Sequence, residues 1–322
     1  MNRQTTVALA ASALTALSMA LAASTADADL VTHCIGSGGA VTVPGDLFVP
    51  PNESCTLDGT TVTGNVRVAA GADLVVTGGR FNHDVQIDAD GYFDARSTTI
   101  DGQVTLAPGG FGIFMRDTAA AGVTVQPKGA ATIEGFLFLE HVRVSGNVAS
   151  SVGEVLVDAG SEITGNLGTT GAYYTDVHDS FVDGTLSVAG NATGSVVCGG
   201  AVQGAATFSG NGGGVQLGPN GALDSCASGG YWGRNVSIAD TTGPIRVDDN
   251  IVNGQLQFTA NNPVAVVAPT NRIRGGITGD WQPPAAAAAL AAPSRERAAP
   301  QRIEQRRAGA TKSAAKAGKA QL

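Results

Sequence analysis

The side chains with chemical potential in this chain fall into three clusters. Asp88, Asp90 and Asp94 form one, Asp248 and Asp249 a second, and Asp176, His178 and Asp179, with Tyr173 and Tyr174 beside them, the third. Carboxylates that converge in pairs do general acid–base work on glycosidic bonds. An imidazole adds a group that titrates near neutrality. Asp176, His178 and Asp179 are therefore the best local candidates for catalysis, against the plainer reading that they are solvated turn residues. The other histidines, His33, His83 and His141, are scattered, and no Cys-x-x-Cys occurs, so no metal is expected. No nucleophile triad, phosphate loop or dinucleotide fingerprint stands out, and no cofactor is expected.

Whether those clusters meet depends on what carries them, and the chain is a repeat. An aliphatic position recurs at Leu47, Val66, Val85, Val104, Val123, Val148, Leu167, Leu186, Ala206, Val236, Leu256 and Ile277. The spacing is 19 to 21 residues, apart from two long steps of 25 and 30. Four residues earlier stands another apolar residue, from Val43 and Val62 through Ala119 to Ile273. Two residues earlier stands glycine in most repeats, as at Gly64, Gly102, Gly165 and Gly184, with His83 an exception. Two residues later the position is again mostly apolar, broken by Ser150, Thr169 and Gly279.

Alternation by two is a strand that buries one face. A repeat of 19 is too short for two helices and a turn, whereas three short strands and their bends fit it. Glycine sits where one strand bends into the next, supplying backbone freedom and room inside the corner. Such a coil cannot bury its apolar face alone; stacking on its neighbours hides it. The expected fold is all-β: a parallel β-helix (solenoid) of about twelve coils over residues 29–281, ~55 Å long at ~4.8 Å per coil. The variable period favours a right-handed winding. The long steps mark two loop insertions, one taking in part of Phe136 to Leu139, the other Gly212 to Gly230.

Placed on this frame, Asp179 and Asp248 share a phase, twelve residues past their aliphatic positions. They are three coils apart, ~14 Å. Asp88 to Asp94 fall at earlier phases, on other faces. No two acidic clusters are expected at catalytic distance.

Cys34 and Cys55 are 21 residues apart, and Cys198 and Cys226 are 28 apart across the longest coil. Each separation is close to one turn, which brings the pair within disulfide range. The expected bridges are Cys34–Cys55 and Cys198–Cys226.

Residues 1–28 read as a signal peptide: Arg3, an Ala- and Leu-rich apolar stretch from Val7 to Ala22, and small-residue cleavage candidates. Export suits paired cysteines. After Trp281 the chain turns Ala-, Pro- and Lys/Arg-rich. Residues 282–322 hold eight basic and two acidic side chains, a net +6, against −13 for residues 30–281. The expectation is a disordered tail suited to an anionic polymer, with contact to the acidic body as an alternative. The 45 glycines follow no three-residue period, which excludes collagen, and 43% apolar content excludes wholesale disorder.

The stretch Cys55-Thr56-Leu57-Asp58-Gly59, followed by Val62-Thr63-Gly64-Asn65-Val66-Arg67-Val68, resembles secreted bacterial right-handed parallel β-helix proteins of unknown function. The Val-x-Gly-Asn-Val element also resembles the repeat of bactofilins, which polymerise end to end. That resemblance covers residues 43–277 and implies the β-helix fold and a capacity for self-association. It departs from bactofilins in having a leader and four cysteines. The expected role is that of a secreted, extracellular or cell-surface, non-catalytic structural or adhesive protein. The alternative is a carbohydrate-active enzyme or glycan-binding module on one face. Extracellular polysaccharide or a cell-wall polymer is the expected partner, with no specific nucleic acid.

Overall fold

The computed structural model describes residues 31–151, 153–285 and 298–322. The signal peptide expected over residues 1–28 lies outside them. Among the described residues, short parallel strands stack into two long sheets, one of 23 strands and one of 13. Each coil contributes two strands to the larger sheet and one, usually the longest, to the smaller. The result is a β-solenoid of about twelve turns.

The repeat column is the register of the fold. Leu47 pairs with Val66, Val66 with Val85, Val85 with Val104, and so on without a break to Leu256 with Ile277. Most of these side chains are fully buried in one continuous core. At ~1.5–3 kcal/mol per buried aliphatic side chain, stacking is the main source of stability. The column four residues earlier is also inward, with one correction: Ala120, not Ala119, pairs with Ile100. A register shift between Ile100 and Gln103 moves the inward position by one.

The corner glycines have a mechanism sharper than freedom of φ. A Cβ on Gly184 would lie 2.4 Å from the carbonyl oxygen of Gly165 on the preceding coil, and Gly165 and Gly204 stand in the same relation to their predecessors. Successive corners approach too closely for a side chain. The residue after the glycine ties corners together. Asn166 N–H donates to Asn147 Oδ1 at 2.8 Å, Thr185 N–H to Asn166 Oδ1 at 2.8 Å, and Gln255 N–H to Asn235 Oδ1 at 2.9 Å. Inside the core, the polar Thr169 is satisfied by Thr175 at 3.0 Å, and Thr175 in turn accepts from Asn191 at 2.7 Å.

Both insertions differ from their expected bounds. Phe136–Glu140 is a strand of the smaller sheet, and the extra residues of that coil lie in 126–135. In the longest coil, Val215–Leu217 is a regular strand, and the extra residues are 218–230.

The tail expected to be disordered carries helix α1, Ala298–Ala317. Its Ala, Arg, Gln and Lys content is helix-forming, and Pro300 falls in the first turn, where no intrahelical N–H is lost. Ile303, Ala310 and Ala314 make one buried face. Ile303 and Ala310 join an apolar cluster with Tyr92, Phe114, Phe136 and Phe138, which point outward from the smaller sheet. Most helical stability in proteins comes from packing one face, and here that docking face is the apolar cluster on the smaller sheet. Beyond the helix, Ser37 N–H donates to Gly318 O at 2.8 Å and Ala320 N–H to Ser37 O at 2.9 Å, so the C-terminus covers the first edge of the sheet.

Candidate functional site

Alternation along the strand Tyr174–His178 turns Thr175 and Val177 inward and Tyr174, Asp176 and His178 outward. Outward does not mean exposed. Asp176 is 1% accessible and Tyr174 likewise, because residues 218–230 fold back over this stretch of the sheet. Leu223 and Cys226 of that segment pack on Tyr174, Val196 and Cys198.

The segment is held by two devices. The first is the Cys198–Cys226 disulfide, with Cα atoms 5.4 Å apart; Cys198 sits one coil beyond His178 in the same column. The second is Gln216, itself 1% accessible. Its Nε2 donates to Asp224 O at 2.7 Å, and its Oε1 accepts from Leu223 N–H at 2.9 Å and from Asp224 N–H at 3.2 Å. This clamp fixes the backbone of Asp224 above the strand. One ligand-type atom each of Asp176, His178 and Asp224 then lies within 4.8 Å of the other two. Asp176 Oδ1 and His178 Nε2 are 2.6 Å apart. A cavity of about 420 Å³ adjoins the cluster, lined by His178, Asp179, Cys198, Ser225, Cys226 and Ser228 among others.

Of the sequence candidates, Asp176 and His178 are thus adjacent partners. Asp179 lies one residue on, at a left-handed φ of 45° in the turn, and lines the cavity. Asp224 was missed. Its only signal was position within the longest coil between paired cysteines, and nothing in the repeat sets where that segment folds.

The acidic residues also fall in columns other than those the repeat count predicts. Asp94 and Asp176 occupy one outward column, through Phe114, Phe138 and Leu156, four coils apart and ~19 Å along the axis. Asp248 does not share the column of Asp179. Arg246 takes the column of Asp176, so Asp248 falls in that of His178. The turn before the third strand gains one residue from the Leu186 coil onward, which shifts every later phase by one.

Each remaining acid is held by a neighbour. Asp94 is fully buried under α1, where it accepts from Tyr92 Oη at 2.7 Å and Arg96 Nε at 3.2 Å and pairs with Arg307. Burial, together with the adjacent Asp94 charge, pushes the Tyr92 hydroxyl up, out of reach of physiological titration. Arg306 of α1 pairs with Asp73 at 2.6 Å and reaches Asp90 at 3.4 Å. Burial pushes the Asp73 carboxyl up, and Arg306 offsets only part of this. Asp88 pairs with Arg67 at 2.9 Å. Asp248 pairs with Arg246 at 2.6 Å and accepts from Asn220 of the covering segment at 3.0 Å. Asp249 is a turn residue with φ of 57°, and its Oδ2 accepts from Gly229 N–H at 3.4 Å. His141 contacts Asp117 at 2.6 Å on the open surface.

Both expected disulfides are present, Cys34–Cys55 with Cα atoms 5.6 Å apart and Cys198–Cys226. Among the described residues, no helix is long and apolar enough to cross a membrane. Compared with protein families, with curated proteins and with solved structures, the chain finds no match in any of the three.

Proposed function

We propose that this is an exported, non-catalytic β-solenoid that serves as a structural or adhesive rod at the cell surface or outside the cell. The observation that carries this reading is that the chain seals its own acid–base side chains. Asp94 is covered by α1 and Asp176 by residues 218–230, and each is at most 1% accessible. A polymer substrate could not reach either carboxylate without displacing a cover. Two disulfides suit an oxidising compartment. The outward column Gln86, Thr105, Thr124, Ala149, Gly168, Ser187, Thr207 and Ser237, which follows Arg67, carries small or uncharged side chains suited to lying along another surface. Lys312, Lys316 and Lys319 are exposed on the C-terminal segment, which packs against the smaller sheet, and they keep an anionic polymer among the proposed partners. The test is a screen of the purified protein against plant and bacterial polysaccharides. Turnover that Asp176→Ala or Asp179→Ala abolishes would overturn the reading; unaltered polymers support it.

Glycan binding is a second reading, favoured by one column. Phe181, Ala201, Tyr231 and Ile251 are consecutive in register, with Phe181 49% and Ile251 38% accessible. The two rings, Phe181 and Tyr231, stand two coils apart, ~10 Å, with Ala201 between them, a spacing that suits stacking against sugar faces. Retention on insoluble polysaccharide, weakened by Phe181→Ala with Tyr231→Ala, would support it; retention unchanged by the pair would remove it.

A further inference from the structure

We propose that Asp176, His178 and Asp224 form a binding site for a divalent transition-metal cation, with Zn2+ the best fit. This goes beyond the structural reading and does not depend on it. Two carboxylates and an imidazole, 48 residues apart in sequence at the extremes, present atoms within 4.8 Å of one another. Asp176 is 1% and Asp224 5% accessible. Two carboxylates so close and so far from water repel each other, and a shared cation reverses the sign of that interaction.

The donor set selects the class of ion. Magnesium and calcium favour oxygen-only shells, whereas one imidazole nitrogen with two carboxylate oxygens suits zinc and its first-row neighbours. A tetrahedral ion with bonds of ~2.1 Å holds its ligand atoms about 3.4 Å apart. Asp176 Oδ1 and His178 Nε2, 2.6 Å apart, would open by about 0.8 Å to admit the ion, and Asp224 need approach by no more than about 1.4 Å, from at most 4.8 Å. The cavity lined by His178, Ser225 and Ser228 borders the cluster on its imidazole side.

The ion clamps residues 218–230 to the sheet, a few residues from where Cys198–Cys226 does so covalently. Binding therefore stabilises the folded chain by mass action.

The test uses the full chain without a histidine tag, stripped with a chelator and titrated calorimetrically with Zn2+, then Mg2+ and Ca2+. Expected are one Zn2+ per chain, a thermal midpoint raised by several degrees, and at least tenfold weaker binding in Asp224→Asn and in His178→Gln. Asp117→Asn, which alters the exposed Asp117–His141 pair, should bind as the wild type does. Circular dichroism shows whether each variant is folded. For any that is not, Co2+ bound to the wild type supplies the readout, since imidazole and carboxylate ligation gives visible absorption bands that aqueous Co2+ lacks. Absence of stoichiometric Zn2+ binding by the wild type would overturn the proposal. So would undiminished binding by both folded variants, or a response to Mg2+ or Ca2+ alone.

Discussion

Asp94 and Asp176 stand in one outward column of the smaller sheet, four coils apart, and each is closed off by a different part of the same chain. Helix α1 supplies Arg307 to Asp94, and the disulfide-bound segment 218–230 brings Asp224 to Asp176. A side that the strand pattern leaves facing water thus becomes buried by covers from outside the repeat.

The Asp94 cover can be tested by charge removal. Arg307→Ala leaves a fully buried carboxylate with one cation, Arg96, instead of two. A loss of about 1–3 kcal/mol is expected from urea unfolding. Asp94→Asn combined with Arg307→Ala should lose less than the two single losses added, because each single variant strands one partner of this pair and the double variant removes both.

The corner rule gives a paired prediction. Gly184→Ala places Cβ 2.4 Å from the Gly165 carbonyl oxygen, a backbone contact that cannot rotate away. Gly168→Ala meets nothing within 4 Å. The first should cost about 1–3 kcal/mol and the second should be neutral or slightly stabilising. Equal thermal midpoints for the two would contradict the close-approach account.

Replacing Cys198 and Cys226 together by serine opens a loop of 28 residues. The chain-entropy estimate is a loss of about 3–4 kcal/mol. Limited proteolysis should then cut first within residues 218–230, and mass spectrometry of the fragments locates the cut.

Acid should loosen the same segment through Asp248. Burial alone would raise this carboxyl, but hydrogen bonds from Thr270, Arg246 and Asn220 outweigh it and hold the group below its ordinary value of 3.8. A depressed folded pKa gives stability that is complete above the unfolded value and lost as pH falls through the folded one. The thermal midpoint of the wild type should therefore fall on acidification below about pH 4. Asp248→Asn should start lower at neutral pH and show a shallower acid decline.

Much of this molecule is readable from residue order alone. Leu47 to Ile277 recur at a near-constant spacing because every coil solves the same burial problem, so the period, the parallel register and both disulfides follow from counting. Glycine before the aliphatic position is equally legible, since corners that touch exclude a Cβ in every coil. What does not repeat is not readable this way. The one-residue lengthening of a turn after Leu186 moved Asp248 from the expected column to that of His178. Helix α1 has helix-forming composition, but its stability comes from Tyr92, Phe136 and Asp94, about 200 residues earlier in the chain. Asp224 reached Asp176 and His178 through a disulfide and the side chain of Gln216. Burial periodicity is a local property of the chain and survives in its order; the covers and the cluster depend on contacts between distant segments, which only the folded molecule brings together.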